Sequence, residues 1–123
     1  MKSEQDLNKE GIIRYFIEVL QNKNVDLIPS MLAPNYTFNG QPASAKDNAG
    51  FVAYLHQEFP NFRYDILGAT AQEDRVVLYW RLNAPATADR GAGYCMGANF
   101  VIGAKGLCVS NVQVSEPFTL LPA

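Results

Sequence analysis

The stretch HQEFPNFRYDILG, His56 to Gly68, is where the chain changes its period. Upstream of it, Phe51, Leu55 and Phe59 recur at helical spacing, with Val52 and Tyr54 beside them. Pro60 ends that pattern, because the residue before a proline is pushed out of the α region. Phe59 is therefore the expected exit. Downstream, RYDILGATAQ alternates with a period of two and is interrupted at Gly68. The junction predicts a helix that breaks and runs directly into a strand. The only histidine, His56, falls on the last turn of that helix. A 100° step per residue places it on the flank of the apolar face, bordering the core. It reads either as a boundary residue favoured by the negative helix end or as an acid–base group, since imidazole titrates near neutrality.

Working toward the N-terminus, Ser44 and Asp47 form an S-x-x-D start for the same helix. Ser3 and Asp6 form another, ahead of a first helix over residues 4–22 with Ile13, Phe16, Ile17 and Leu20 on one face. Gly11 is a weak point inside it, worth up to about 1 kcal/mol against alanine. A short helix, DLIPSML, begins at Asp26 with Pro29 in its first turn. NYTFN, Asn35 to Asn39, reads as a strand ended by Gly40, with Pro42 in the loop beyond.

Working toward the C-terminus, Glu73-Asp74 is a turn and RVVLYWRLNA is the strongest strand, rich in β-branched and aromatic residues. PATADRGAG is a loop. YCMGANFVI and LCVSNVQV follow, joined by a glycine-bounded turn at residues 103–106 that places Asn99 and Asn111 almost across from each other. The tail SEPFTLLPA runs on past the last strand. Helices first and strands afterwards indicate an α+β domain with helices on one face of an antiparallel sheet.

Composition narrows the function. The chain has 123 residues, the size of one domain, and nearly half are apolar. A net charge of -2 lacks the basic excess that nucleic acid requires and the Lys/Arg clusters of a membrane-surface helix. No apolar run approaches the ~20 residues of a membrane span, and the polar N-terminus has no secretory h-region. Cys95 and Cys108 read as reduced core thiols of a cytoplasmic protein, and two cysteines with one histidine make no metal site.

Four segments in this order resemble the nuclear-transport-factor-2-like superfamily, in its SnoaL-like branch of polyketide cyclases and ketosteroid isomerase-like proteins. They are LIPSMLAPNYTFNG, FVAYLHQEFPNFRYDI, EDRVVLYWRL and GLCVSNVQVSE. The resemblance spans residues 7–116. It implies a single domain over 1–123: a cone-shaped, curved antiparallel sheet with about three N-terminal helices on its concave face. It implies a pocket at the open end for a small hydrophobic molecule, no cofactor, and a homodimer through the sheet. The implied activity is isomerisation or cyclisation by proton transfer.

Tyr15 matches a helix-one tyrosine that stabilises an oxyanion in the isomerases, and reads otherwise as a core tyrosine. The isomerase base falls at Asn39 and Gly40, which cannot take a proton, and its second acid falls at Ala98 and Asn99. The cyclase acid falls on a strand that offers Asn111 and Gln113, with Glu116 at its end. The epoxide hydrolases of the superfamily need two aspartates and an arginine, and here Arg81 and Asp65 lack the second aspartate. Tyr15, His56 and Glu116 are thus the candidate catalytic residues. Phe38, Tyr54, Trp80, Tyr94, Asn99 and Asn111 are the candidate ligand contacts, aromatic rings and amides suited to a neutral, mostly apolar molecule. The alternative is a non-catalytic binding or dimerisation module that lacks the acid–base carboxylates.

Overall fold

The computed structural model describes residues 2–122. Three helices lie on one side of a curved, unclosed sheet. Helix α1 spans Glu4–Arg14 and continues without a break as a π-helical segment, Tyr15–Gln21. The Ser3 hydroxyl accepts from the Asp6 N–H at 3.1 Å and so caps the first turn. A 3-10 turn, Val25–Leu27, leads into the single turn α2, Ile28–Met31, with Pro29 at its start. Helix α3, Ala45–Glu58, opens on a complete capping box: Asp47 N–H donates to Ser44 Oγ, and Ser44 N–H donates to Asp47 Oδ2 at 2.8 Å. It ends at Phe59, as the following proline requires.

The strands are β1 (Leu32–Phe38), β2 (Gln41–Pro42), β3 (Arg63–Gln72), β4 (Arg75–Ala84), β5 (Gly93–Ala104), β6 (Leu107–Ser115) and β7 (Thr119–Leu120). Their order is β2-β1-β6-β5-β4-β3, with β7 pairing the start of β5. The expected sheet was antiparallel throughout, and one pairing departs from that. Strand β1 lies parallel to β6, with Phe38 opposite Asn111. Helix α3 and four strands, β2 to β5, intervene between the two, long enough for the crossover that a parallel pair needs. Pro42, expected in a loop, pairs with Thr37 across a two-residue turn in which Asn39 and Gly40 both have positive φ.

The register at the last hairpin also differs from expectation. The turn contracts to Lys105-Gly106, both at positive φ, and a bulge follows at Ile102/Gly103. Asn99 therefore lies opposite Gln113, and Asn111 opposite Val101. The two asparagines are diagonal neighbours rather than direct partners.

Alternation on β4 settles which sheet face looks inward. Val76, Leu78, Trp80 and Leu82 are buried, whereas Tyr79 is exposed. The inner face packs on Phe16, Val19 and Leu20 of the first helix. Tyr64 is the hub of an edge-on aromatic cluster, with Phe16 at 4.9 Å, Phe62 at 5.3 Å and Trp80 at 5.3 Å between ring centroids. That cluster fills one end of the cone and leaves the other end hollow. Gly11 has a structural reason. A Cβ there would stand 2.6 Å from the Gly106 carbonyl oxygen, so only glycine lets α1 lie this close to the hairpin.

Candidate functional site

The hollow end is a cavity of about 100 Å³, open on one side. The first helix contributes Tyr15, Phe16 and Leu20, the π-helical register holding all three toward the interior. Strand β1 contributes Tyr36 and Phe38, two residues apart on one face. Helix α3 contributes Asp47, Asn48 and Phe51, one turn apart. Strands β5 and β6 contribute Asn99, Asn111 and Gln113.

The polar groups are ordered by hydrogen bonds. Tyr15 O–H donates to Asn48 Oδ1 at 2.7 Å, and the Asn48 amide donates to the Ser44 carbonyl at 2.8 Å. On the opposite wall Trp80 Nε1–H donates to Asn99 Oδ1 at 2.7 Å. Asn99 Nδ2 donates in turn to Asn111 Oδ1 at 2.8 Å and to Gln113 Oε1 at 3.3 Å. Burial pushes the Tyr15 and Tyr36 phenols well above their ordinary range, so both are neutral donors at any physiological pH. For Tyr36 the neighbouring Asn111 side chain acts in the opposite direction and does not outweigh burial. The one carboxylate on the lining, Asp47, sits at the solvent-exposed rim. Hydrogen bonds from the Ser44 backbone and hydroxyl hold it below the usual carboxylate range.

Of the candidate residues named from the sequence, this cavity brings together Tyr15, Phe38, Asn99 and Asn111. Trp80 lies beneath the lining in the aromatic cluster and reaches the site only through Asn99. Tyr54 is 56% exposed on the outer side of α3, beside Phe51. Tyr94 lies under the Arg81 guanidinium, 4.1 Å from ring centroid to Cζ, away from the cavity. His56 is elsewhere too. Its Nε2–H donates to the Leu20 carbonyl at 2.7 Å, and its ring packs on Phe62 at 4.6 Å, tying α3 to the first helix. Glu116 is exposed past the end of β6 and its backbone N–H donates to the Met96 carbonyl.

Tyr36, Asn48, Phe51 and Gln113 line the cavity without having been singled out. Tyr36 was legible as the partner of Phe38 at strand spacing. Asn48 follows the Ser44 cap by one turn on the inward side of α3, an unusual place for an amide. Gln113 depended on the hairpin register.

Among the described residues no cluster of His, Cys, Asp or Glu could hold a metal ion, and no helix is long and apolar enough to cross a membrane. Both cysteines are free. Cys108 lies behind Tyr15, where burial pushes its thiol up to about 12.

The SnoaL-like domain family matches residues 13–107. The chain belongs to the SnoaL-like family. No protein of curated function matches it. Among solved structures it is similar to a candidate polyketide cyclase from Acidithiobacillus ferrooxidans. That match has 22% identity and a TM-score of 0.77, covering 94% of this chain and 92% of the other. It is similar to a SnoaL-like polyketide cyclase from Agrobacterium tumefaciens at 11% identity and a TM-score of 0.76, covering 94% and 93%. AclR of Streptomyces galilaeus, a candidate hydroxylase, matches at 14% identity and a TM-score of 0.71, covering 91% and 80%. Identities this low show a shared SnoaL-like fold, and the neighbours' differing names illustrate that one fold hosts several chemistries.

Proposed function

We propose that this SnoaL-like domain binds a small, uncharged and mostly apolar molecule in the open end of its cone. The observation that carries the reading is the charge state of the lining. Apart from Asp47, every polar side chain on it is a phenol or a carboxamide, and none of these takes a proton near neutral pH. A charged ligand would be desolvated there with no counter-charge in the interior. The surrounding Phe16, Leu20, Phe38 and Phe51 suit an apolar body.

The test is a titration of the ¹⁵N-labelled protein with methylenecyclohexane, cyclohexylammonium and cyclohexanecarboxylate. The hydrocarbon should shift backbone resonances around Tyr36, Phe38, Phe51 and Asn99, and the two ions should not. Equal or stronger shifts from either ion would defeat the reading. Native mass spectrometry of protein purified from its own host would then identify the natural occupant.

A second reading, isomerisation or cyclisation by proton transfer, is favoured by one feature. Asp47 is a carboxylate on the rim, within the same lining. Its engagement in the α3 cap and its lowered proton affinity make it a weak base. Under this reading Asp47→Asn abolishes turnover of a carbonyl substrate. Under the binding reading there is no turnover to lose.

The outer face of the sheet supports the expected homodimer. Leu67, Tyr79, Phe100, Val112 and Val114 are exposed on it, and Val77 faces Phe100, which faces Val112, along one row. This patch bears no charge at its centre, and the surface that fits it best is its own copy in a second chain.

A further inference from the structure

We propose that a second binding site lies behind the main cavity, a small chamber between the first helix and the β5–β6 hairpin in which the Asn8 amide holds one internal water molecule as a structural ligand. The chamber measures about 10 Å³ and is lined by Asn8 and Tyr15 from the first helix and by Val101, Gly106 and Cys108 from the hairpin. That is about the least space that holds one water, and it is too little for a larger guest. The ring of Tyr15 also lines the main cavity and so stands between the two sites. This inference is independent of what the main cavity binds.

Asn8 is 4% exposed, and its amide is fixed in orientation. The Gly106 main-chain N–H lies 2.9 Å from one end of that amide. A main-chain N–H only donates, so the atom it meets is Oδ1 and the other end is Nδ2. Nδ2 is shut off from solvent and has no acceptor among the described residues. A buried donor left in that state forfeits its hydration with nothing in return, and folded proteins seldom leave one. The side chain has little room to swing away. Its Cγ stands 2.6 Å from where a Cβ on Gly103 would lie, and Gly11, one turn on, is pressed equally closely to the Gly106 carbonyl. The amide is clamped by the hairpin, so its acceptor has to come to it.

Water is the acceptor that fits. No charged side chain lines the chamber, so an anion would be buried there without a counter-charge. A water accepting from Nδ2 needs acceptors for its own protons, and two adjoin the space. The Cys108 S–H is directed at the Ser110 carbonyl, 3.8 Å away, which leaves the lone pairs of the sulfur free to accept weakly. Gly106 brings its main-chain carbonyl. Asn8 then grips the hairpin twice, directly through Oδ1 and through the water from Nδ2. A bridging water of this kind is nearly equivalent to a direct hydrogen bond.

The experiment is water-selected NOE and ROE spectroscopy of the ¹⁵N-labelled chain without any ligand. The Asn8 Nδ2 protons should show cross-peaks at the water frequency with opposite sign in the two spectra, the mark of a long-lived bound water; proton exchange gives the same sign in both. Asn99 is the internal control. It is 1% exposed with Nδ2 already engaged by Asn111 and Gln113, so its amide protons should show no such peak. Val101→Ile adds one methylene to the wall of the chamber and should displace the water. The Asn8 peak should vanish, and oxygen-17 relaxation dispersion of the solvent, which protein protons cannot relay, should register one long-lived water fewer.

Stability supplies the other arm, because the two possible contents of the chamber predict opposite signs. If it holds water, Val101→Ile strands Nδ2 and should lower Tm by about 3–6 °C. If it is dry, the extra methylene fills a void and raises Tm. No water peak at Asn8 in the wild type, a peak with exchange sign, or a raised Tm in Val101→Ile overturns the proposal. The wild-type spectrum decides it even if the variant fails to fold.

Discussion

Replacing Gly11 by alanine should destabilise the protein, although intrinsic propensity favours the change. In an exposed helix interior alanine gains about 0.8–1.0 kcal/mol over glycine. At Gly11 the new Cβ would meet the Gly106 carbonyl oxygen at 2.6 Å, well inside contact distance. That oxygen belongs to a tight turn with φ of +84 at Gly106 and cannot rotate away without undoing the hairpin. The helix would have to lift instead. Lifting strains the bond from Gly106 N–H to Asn8 Oδ1 at 2.9 Å and the bond from Lys105 N–H to Glu4 Oε1 at 3.1 Å. Overpacking of this kind costs about 1–3 kcal/mol, and one weakened bond about 1 kcal/mol more. After subtracting the propensity gain, the net loss is about 1–3 kcal/mol, or roughly 4–12 °C in Tm for a domain of this size. Gly50 is the internal control. It lies inside α3 with nothing within 4 Å of its would-be Cβ, so Gly50→Ala should raise Tm by about 2–4 °C. Thermal unfolding followed by circular dichroism reads both. If Gly11→Ala stabilises as much as Gly50→Ala, the close approach of α1 to the hairpin is wrong.

Ligand affinity should be flat between about pH 5 and pH 9, because Asp47 titrates below that window and Tyr15 and Tyr36 above it; a bell-shaped profile would mean a titrating group had been missed. Asp47 has a lowered proton affinity when folded, so its contribution is present above its unfolded value and disappears as pH falls through the folded one. Stability measured against pH should accordingly lose part of its acid slope in Asp47→Asn. Phe100→Glu places a charge in the middle of the outer sheet face, where Phe100 is 48% exposed, and should yield monomers in sedimentation at micromolar concentration with an unchanged fold; a wild type that is already monomeric removes the dimer. Burial raises both thiols and Cys108 the more, so iodoacetamide at pH 8 should modify Cys108 at least ~100-fold more slowly than a free thiol, with Cys95 intermediate. Equal native rates for the two cysteines would contradict the burial of Cys108.

Local signals in the sequence proved strong where one short-range rule dominates. Pro60 and the Ser44–Asp47 pair fix both ends of α3 because each acts within four residues. The inward face of β4 was not legible, since both faces are apolar; only the packing of Val76, Leu78, Trp80 and Leu82 on the helices separates them. The parallel pairing of β1 with β6 has no local signal, because it depends on where a chain of some seventy intervening residues returns. The site was partly legible for the same reason. Tyr15, Phe38, Asn99 and Asn111 belong to elements whose inward faces are marked by periodicity. Tyr54 and Tyr94 belong to the same elements as lining residues but point the other way. The diagonal contact between Asn99 and Asn111 hinges on a bulge and a two-residue turn, each of which moves the register by a residue.

The two ends of the cone make an argument about purpose. Phe16, Phe62, Tyr64 and Trp80 show that this chain can fill its interior with interlocking rings. At the open end it instead buries Asn48, Asn99 and Asn111 beside an unfilled volume of about 100 Å³. Leucine or valine at those positions would avoid the desolvation of three amides and close part of the void, so stability alone does not favour the amides. Each amide is instead held in one orientation by a bond to another group, beginning from the donor-only indole of Trp80. Orientation of that kind contributes little to folding and matters greatly to a guest that must align its own polar atom. The hollow and the oriented amides beside it are therefore features that stability alone does not explain and that the proposed binding of a small apolar molecule does.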